Sequence, residues 1–173
     1  MTRPISSLLP WTLYSEPIDV ALLSESSYLR DNNVVLLDVE GKGSLQKLGQ
    51  LAEKETSAIV LAYDAAHALA LWKKGRWFDL FDSLGTSPLS NAVLSAIHHQ
   101  RSSSHHCSSL QPRLQADSSS CIHYALAYID ERLRHAGGHG GDAHSAAVAA
   151  LQALSTLSVR ERAYSLLGII VSL

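Results

Sequence analysis

Two apolar runs, HALALW (67–72) and RWFDLF (76–81), flank Lys73-Lys74-Gly75. This is the pattern of an antiparallel hairpin closed by a short glycine-containing loop. It constrains the chain on two levels. It fixes a pair of neighbouring strands, and hairpin geometry sets a residue near the start of one arm beside a residue near the end of the other. His67 opens the first arm and Asp82 follows the second.

The remaining pattern alternates strands and helices. NNVVLLDVE (32–40) and SAIVLAY (57–63) read as buried strands, and 44–54 between them as a helix with Leu45, Leu48 and Leu51 at helical spacing. A short helix is expected after Pro17, carried by Ile18, Ala21, Leu22 and Leu23, and a longer one over 88–99. Residues 100–120 are rich in Ser and His and read as a long surface loop with one strand around Arg113 to Gln115. Ile122, Ala125, Leu126, Ile129 and Leu133 then fall on one face of a helix from Cys121 to Leu133. HAGGHGG (135–141) breaks it, 144–154 forms an Ala/Leu helix, and the last fifteen residues pack on the core as a helix or strand. The expectation is one α+β domain over 1–173, with a mostly antiparallel central sheet packed by helices and an irregular segment over 1–10.

Of the 173 residues, 46% are hydrophobic and 17% charged, a globular composition. The net charge of −2 gives no support for a nucleic-acid protein. No run reaches the roughly 18 apolar residues of a membrane span, and the first residues lack a secretory signal pattern. Two cysteines, Cys107 and Cys121, make no disulfide framework, so an intracellular, reducing compartment (cytoplasm or nucleus) is expected.

Cys121 follows Ser118-Ser119-Ser120 and begins the helical face. At a helix start, unpaired backbone N–H groups and the helix dipole stabilise a thiolate and can hold an oxyanion. A nucleophilic cysteine also needs a base and a group to orient it. His67 at a strand mouth can be the base, and Asp82 at the end of the paired strand can fix its tautomer. Asp79 competes for that role, but it lies inside the strand and on the opposite face if pairing is regular. Gln115, six residues before Cys121, can offer its side-chain amide to an oxyanion if the connecting loop folds back over the helix start.

His67, Asp82, Gln115 and Cys121, in that order, resemble the papain-related cysteine peptidases whose triad runs His, Asp, Cys. These include the proteases specific for ubiquitin-like proteins (the SUMO and NEDD8 proteases), the adenovirus protease and bacterial effector relatives. The segment Trp77-Phe78-Asp79-Leu80-Phe81-Asp82-Ser83 is similar to the end of the family's second strand. Gln115-Ala116-Asp117-Ser118-Ser119-Ser120-Cys121 is similar to its oxyanion glutamine and nucleophile, and Trp11 to Asp19 resembles the SUMO proteases' entry more loosely. The resemblance spans about residues 11–135. It departs at Ala68, where the family has tryptophan, and at Ile122, where it has glycine.

The resemblance implies a papain-like fold and a cofactor-free mechanism. Cys121 attacks a carbonyl, His67 takes and returns the proton, Asp82 orients His67, and Gln115 with the Cys121 N–H holds the oxyanion. The implied partners are ubiquitin or a ubiquitin-like protein and its conjugates, cut after a Gly-Gly tail, inside a cell or a host cell. Three other readings share these residues: a viral-type precursor-processing endoprotease, an effector acetyltransferase, and an inactive binder of a ubiquitin-like protein.

Two other clusters carry less. His98, His99, His105, His106 and Cys107 do not match a regular zinc spacing and read as a solvated loop, so no metal is expected. HAGGHGGDAH (135–144) lacks the Lys and Ser/Thr of a phosphate-binding loop. Arg132, Arg134, Arg160 and Arg162 read as solvated helix faces or as contacts for acidic partners.

Overall fold

The computed structural model describes residues 18–99, 106–108, 112–117, 119–135 and 140–168. Residues 1–10, and most of the Trp11 to Asp19 segment, lie outside them. The chain begins with two single-turn helices, α1 (Val20–Ser24) and α2 (Ser27–Asp31). Asp19 and Ser26 cap them, accepting from the Ala21 and Leu29 N–H groups. Strand β1 (Val34–Asp38), helix α3 (Ser44–Glu53) and strand β2 (Ala58–Tyr63) follow, then the hairpin β3 (Ala68–Lys74) and β4 (Trp77–Phe81). Helix α4 (Pro88–His99) leads to the short strand β5 (His106–Ser108). Three helices close the described fold: α5 (Cys121–Arg134), α6 (Gly140–Gln152) and α7 (Thr156–Leu166).

The architecture is α+β, with five strands in the order β1-β2-β3-β4-β5. The sheet is mixed rather than mostly antiparallel: β2–β3 and β3–β4 are antiparallel, while β1–β2 and β4–β5 are parallel. Each parallel pair is joined through a helix, as a parallel connection requires. The hairpin loop is Gly75-Arg76, because Lys74 still pairs with Trp77. Gly75 takes φ 59°, a left-handed value that suits a two-residue hairpin turn. Lys73, expected in the loop, instead belongs to β3. It is buried, and its Nζ donates to the carbonyls of Lys54, Thr56 and Gly75.

Helices cover both faces of the sheet. Val60, Ala62, Leu69, Leu71, Phe78 and Leu80 point to α3 and α4, where Leu48, Ala52, Leu89, Val93 and Ile97 meet them. Leu61, Ala68, Ala70 and Phe81 point to the other side, against α5 and the helices that flank it. This two-sided burial is why the central strands read as nearly continuous apolar runs.

Helix α5 lies across β3 and against α6 and α7. It is not half-exposed, as a single apolar face predicts: every residue from Cys121 to Arg132 is buried. Its polar residues find partners on neighbouring elements. Arg132 donates to Asp79 Oδ2 and to the Tyr128 hydroxyl, and Asp130 accepts from Tyr28 and Arg162. The reading of these arginines as solvated fails for Arg132 and Arg160, which are 3% and 1% exposed. Helix α6 also begins earlier than expected, at Gly140, inside the glycine-rich run. The last fifteen residues are helical as far as Leu166.

Candidate active site

Three loops and one helix start converge at one end of the β2–β3–β4 unit. The first loop joins β2 to β3. Asp64 Oδ1 accepts from the N–H groups of Ala66 and His67, both at 2.8 Å, and the Asp64 N–H donates to the His67 carbonyl. This side-chain turn sets His67 at the mouth of β3. The second loop begins at Asp82, one residue past β4. Asp82 Oδ1 accepts from the Leu84 N–H at 2.9 Å, and the Gly85 N–H donates to the Asp82 carbonyl.

The two loops meet through their side chains. His67 Nε2 lies 2.7 Å from Asp82 Oδ1. The other carboxylate oxygen accepts from Ser87 Oγ at 2.5 Å. Asp82 is fully buried, so its charge stands on these donors. Burial opposes the carboxylate, but the bonds from His67, Ser87 and Leu84 hold its pKa below the usual value. Asp79 takes no part. It accepts from Trp77 Nε1 and Arg132 inside β4.

Cys121 is the first residue of α5, and its side chain lies close enough to His67 to favour the charged imidazole. Burial drives the imidazole toward its neutral form. The hydrogen bond to Asp82 and the Asp82 charge, with the nearby Cys121 side chain, outweigh it and raise the His67 pKa from 6.5 to about 9. The pair is closely shielded: the His67 side chain is 9% exposed and Cys121 is 7% exposed.

The third loop carries Gln115. The N–H groups of Leu114 and Gln115 both donate to the Ser83 carbonyl, beside Asp82. These bonds replace the strand expected around Arg113 to Gln115; a strand appears instead at His106–Ser108. Gln115 Oε1 accepts from Ser83 Oγ at 2.5 Å, and its Nε2 donates to the Asp117 carbonyl at 2.8 Å. The amide is thus fixed in orientation, with its nitrogen donating to the Asp117 carbonyl and, at 3.5 Å, to Asp117 Oδ1.

The structure therefore brings His67 and Asp82 into contact, sets Cys121 against His67, and ties Gln115 to the residue after Asp82. Sequence reasoning missed the residues that hold these four: Asp64, Ser83, Ser87 and Asp117. Asp64 and Asp82 each begin a turn, and an Asp two or three residues before the N–H it caps is a readable signal. Ser87 and Ser83 carry no such signal, because their partners lie across loops.

Ala68 and Ile122, the positions that depart from the family pattern, both face the core. Ala68 is 1% exposed on β3 and Ile122 is 6% exposed on α5. Two open clefts lie elsewhere. One of about 350 Å³ is lined by Asn33, Trp72, Lys74, Arg132 and His135, the other of about 380 Å³ by β1 and α3. Among the described residues no group of three or more His, Cys, Asp or Glu is placed to hold a metal ion. The His98 to Cys107 cluster falls mostly outside the described side chains. No described helix is long and apolar enough to cross a membrane.

The chain matches no protein-family model and no curated protein.

Proposed function

We propose that this chain is a cysteine peptidase or isopeptidase in which Cys121 attacks a carbonyl carbon. The observation that carries the reading is the hydrogen-bonded His67–Asp82 pair with Cys121 beside His67 at the start of a buried helix. In the reaction, the thiolate forms a bond to the carbonyl carbon and the carbonyl electrons move to oxygen. The Cys121 N–H and the Gln115 side-chain amide stabilise that oxyanion. His67 gives its proton to the leaving amine, and then takes one from the water that hydrolyses the thioester. Asp82 keeps the imidazole oriented throughout. A nucleophile at a helix start, a base and its orienter at adjacent strand ends, and a sheet behind them support a papain-like fold.

The substrate we favour is ubiquitin or a ubiquitin-like modifier, cut after its C-terminal Gly-Gly tail, inside a cell or a host cell. The test is intact-mass analysis after incubation with ubiquitin, SUMO and NEDD8 probes carrying a cysteine-reactive C-terminal group, with Cys121→Ala as control. An adduct with one probe, lost in the control, names the modifier. A precursor-processing endoprotease is the second reading. Ala68 favours it, since a methyl group buried against α5 supplies no ring to narrow the cleft around a Gly-Gly tail. No adduct with any probe, but cleavage of an internal peptide bond, selects it.

A further inference from the structure

We propose that Arg160, on α7, is a positioning residue for the nucleophile: its buried guanidinium fixes Ser119 and Ser120, which with Asp117 set the places of Cys121 and the Gln115 amide. The inference rests on the peptidase reading above and concerns a residue 39 positions beyond the cysteine.

Arg160 is 1% exposed. Its Nε donates to Ser120 Oγ at 3.0 Å, its Nη2 to Ser119 Oγ at 2.6 Å, and its Nη1 lies 3.3 Å from His123 Nε2. All three partners flank Cys121 in sequence. A guanidinium has no acceptor capacity, so it holds these groups as a rigid fork of donors. His123 must then present a lone pair on Nε2. Burial, followed by the charge of Arg160, lowers its pKa to about 3 and keeps it neutral.

Asp117 completes the loop from the other side. Its Oδ1 accepts from the N–H groups of Ser119 and Ser120 at 3.1 and 3.0 Å, and its Oδ2 accepts from Ser120 Oγ at 2.7 Å. Ser120 Oγ therefore accepts a hydrogen bond from Arg160 and donates one to Asp117. The Asp117 carbonyl holds Gln115 Nε2. Arg160 and Asp117 thus clamp one short segment whose two ends carry the nucleophile and the oxyanion donor. Ser120 is the residue before α5 but its side chain does not cap the helix, because it is committed to this clamp. The position of Cys121 is set by tertiary contact with α7 rather than by local capping.

The test uses the whole chain and iodoacetamide, measuring the rate of Cys121 alkylation by peptide mass mapping together with thermal unfolding. Arg160→Lys keeps a charge opposite Asp117 but cannot reproduce the fork. The expected result is a Lys variant that still unfolds cooperatively but alkylates about ten- to a hundredfold more slowly than wild type, with Ser119→Ala intermediate. Asp117→Asn is expected to slow alkylation as well, from the opposite side of the clamp. Should the folded Lys and Ser119→Ala variants alkylate at the wild-type rate, the positioning role is overturned while the peptidase reading stands. If wild-type Cys121 is no faster than free cysteine, the peptidase reading falls and the positioning role with it.

Discussion

His67 Nε2 and Asp82 Oδ1 stand 2.7 Å apart, although 15 residues separate them in the chain. The β3–β4 hairpin places their backbones at one end of the sheet, and two Asp-headed turns aim their side chains at each other. The Asp82 bond helps hold the His67 pKa near 9 despite burial. Peptide hydrolysis needs the imidazolium as proton donor, so turnover is expected to fall as pH rises through about 9. Asp82→Asn should move that alkaline limb to lower pH and cost about a hundredfold or more in rate. The same bond also contributes stability. A folded pKa above the unfolded 6.5 means this contribution is full below pH 6.5 and is lost as pH rises through about 9. Unfolding free energies measured against pH in wild type and Asp82→Asn check both signs.

Gln115 is held by Ser83 on its oxygen and by Asp117 on its nitrogen. Gln115→Ala is expected to lower turnover of any cleaved substrate by about a hundred- to a thousandfold, while the iodoacetamide reactivity of Cys121 changes little. An alkylation has no oxyanion to stabilise. Ser83→Ala should show a weaker version of the same split, since it frees the amide to rotate.

Ala68 packs against α5, so restoring the family's aromatic residue there is not a gain. Ala68→Trp is expected to destabilise the fold by at least about 2 kcal/mol through overpacking, read as a lower denaturant midpoint. Ile122→Gly should also destabilise, losing a buried side chain and adding a helix glycine. A stable, more active Ala68→Trp protein would show that the position opens to the cleft.

His123 is neutral and buried beside Arg160, with its pKa lowered from 6.5 to about 3. The unfolded chain takes up a proton there below pH 6.5 and the folded chain does not. Stability is therefore present above pH 6.5 and declines on acidification, by about 2 kcal/mol at pH 5 from this group. His144, also lowered by burial, adds in the same direction. Asp82 and Asp117 act in a separate window below their ordinary value of 3.8. Chemical denaturation of His123→Gln at pH 7 and pH 5 is expected to show a smaller acid loss than wild type.

The Arg132–Asp79 pair sits about 16 Å along α5 from Cys121 at the helical rise. The Nη1–Oδ2 distance is 2.7 Å, and the guanidinium lies 4.7 Å from the centre of the Trp72 ring. Arg132→Ala removes the cation facing the buried Asp79 and is expected to cost about 3–5 kcal/mol. Under native conditions its Cys121 should still alkylate at the wild-type rate, which separates a stability residue from a positioning one.

The hairpin, the helix beginning at Cys121 and the order His67, Asp82, Gln115, Cys121 were legible because each rests on local pattern. Alternation marked β3 and β4, and the serine run before an apolar stripe marked the helix start. The parallel pairing of β1 with β2 was less legible, although α3 between them forces it: the strands alone read the same in either direction. The burial of α5 on all sides was not legible. Periodicity sees its apolar stripe, but His123, Asp130 and Arg132 are buried through partners on α7, α2 and β4 that are far away in sequence. Arg160 was invisible for the same reason, since its three partners lie between 37 and 41 residues upstream.

The most direct test of the account is the rate of iodoacetamide alkylation at Cys121, measured at pH 6 in wild type, His67→Ala and free cysteine. The proposed reaction requires that the His67 imidazolium, which persists to about pH 9, activates the Cys121 sulfur. The account predicts that wild-type Cys121 reacts faster than free cysteine at pH 6 and that His67→Ala removes the advantage. A wild-type rate at or below that of free cysteine, unchanged by His67→Ala, would contradict it and leave Cys121 a structural cysteine at the start of a buried helix.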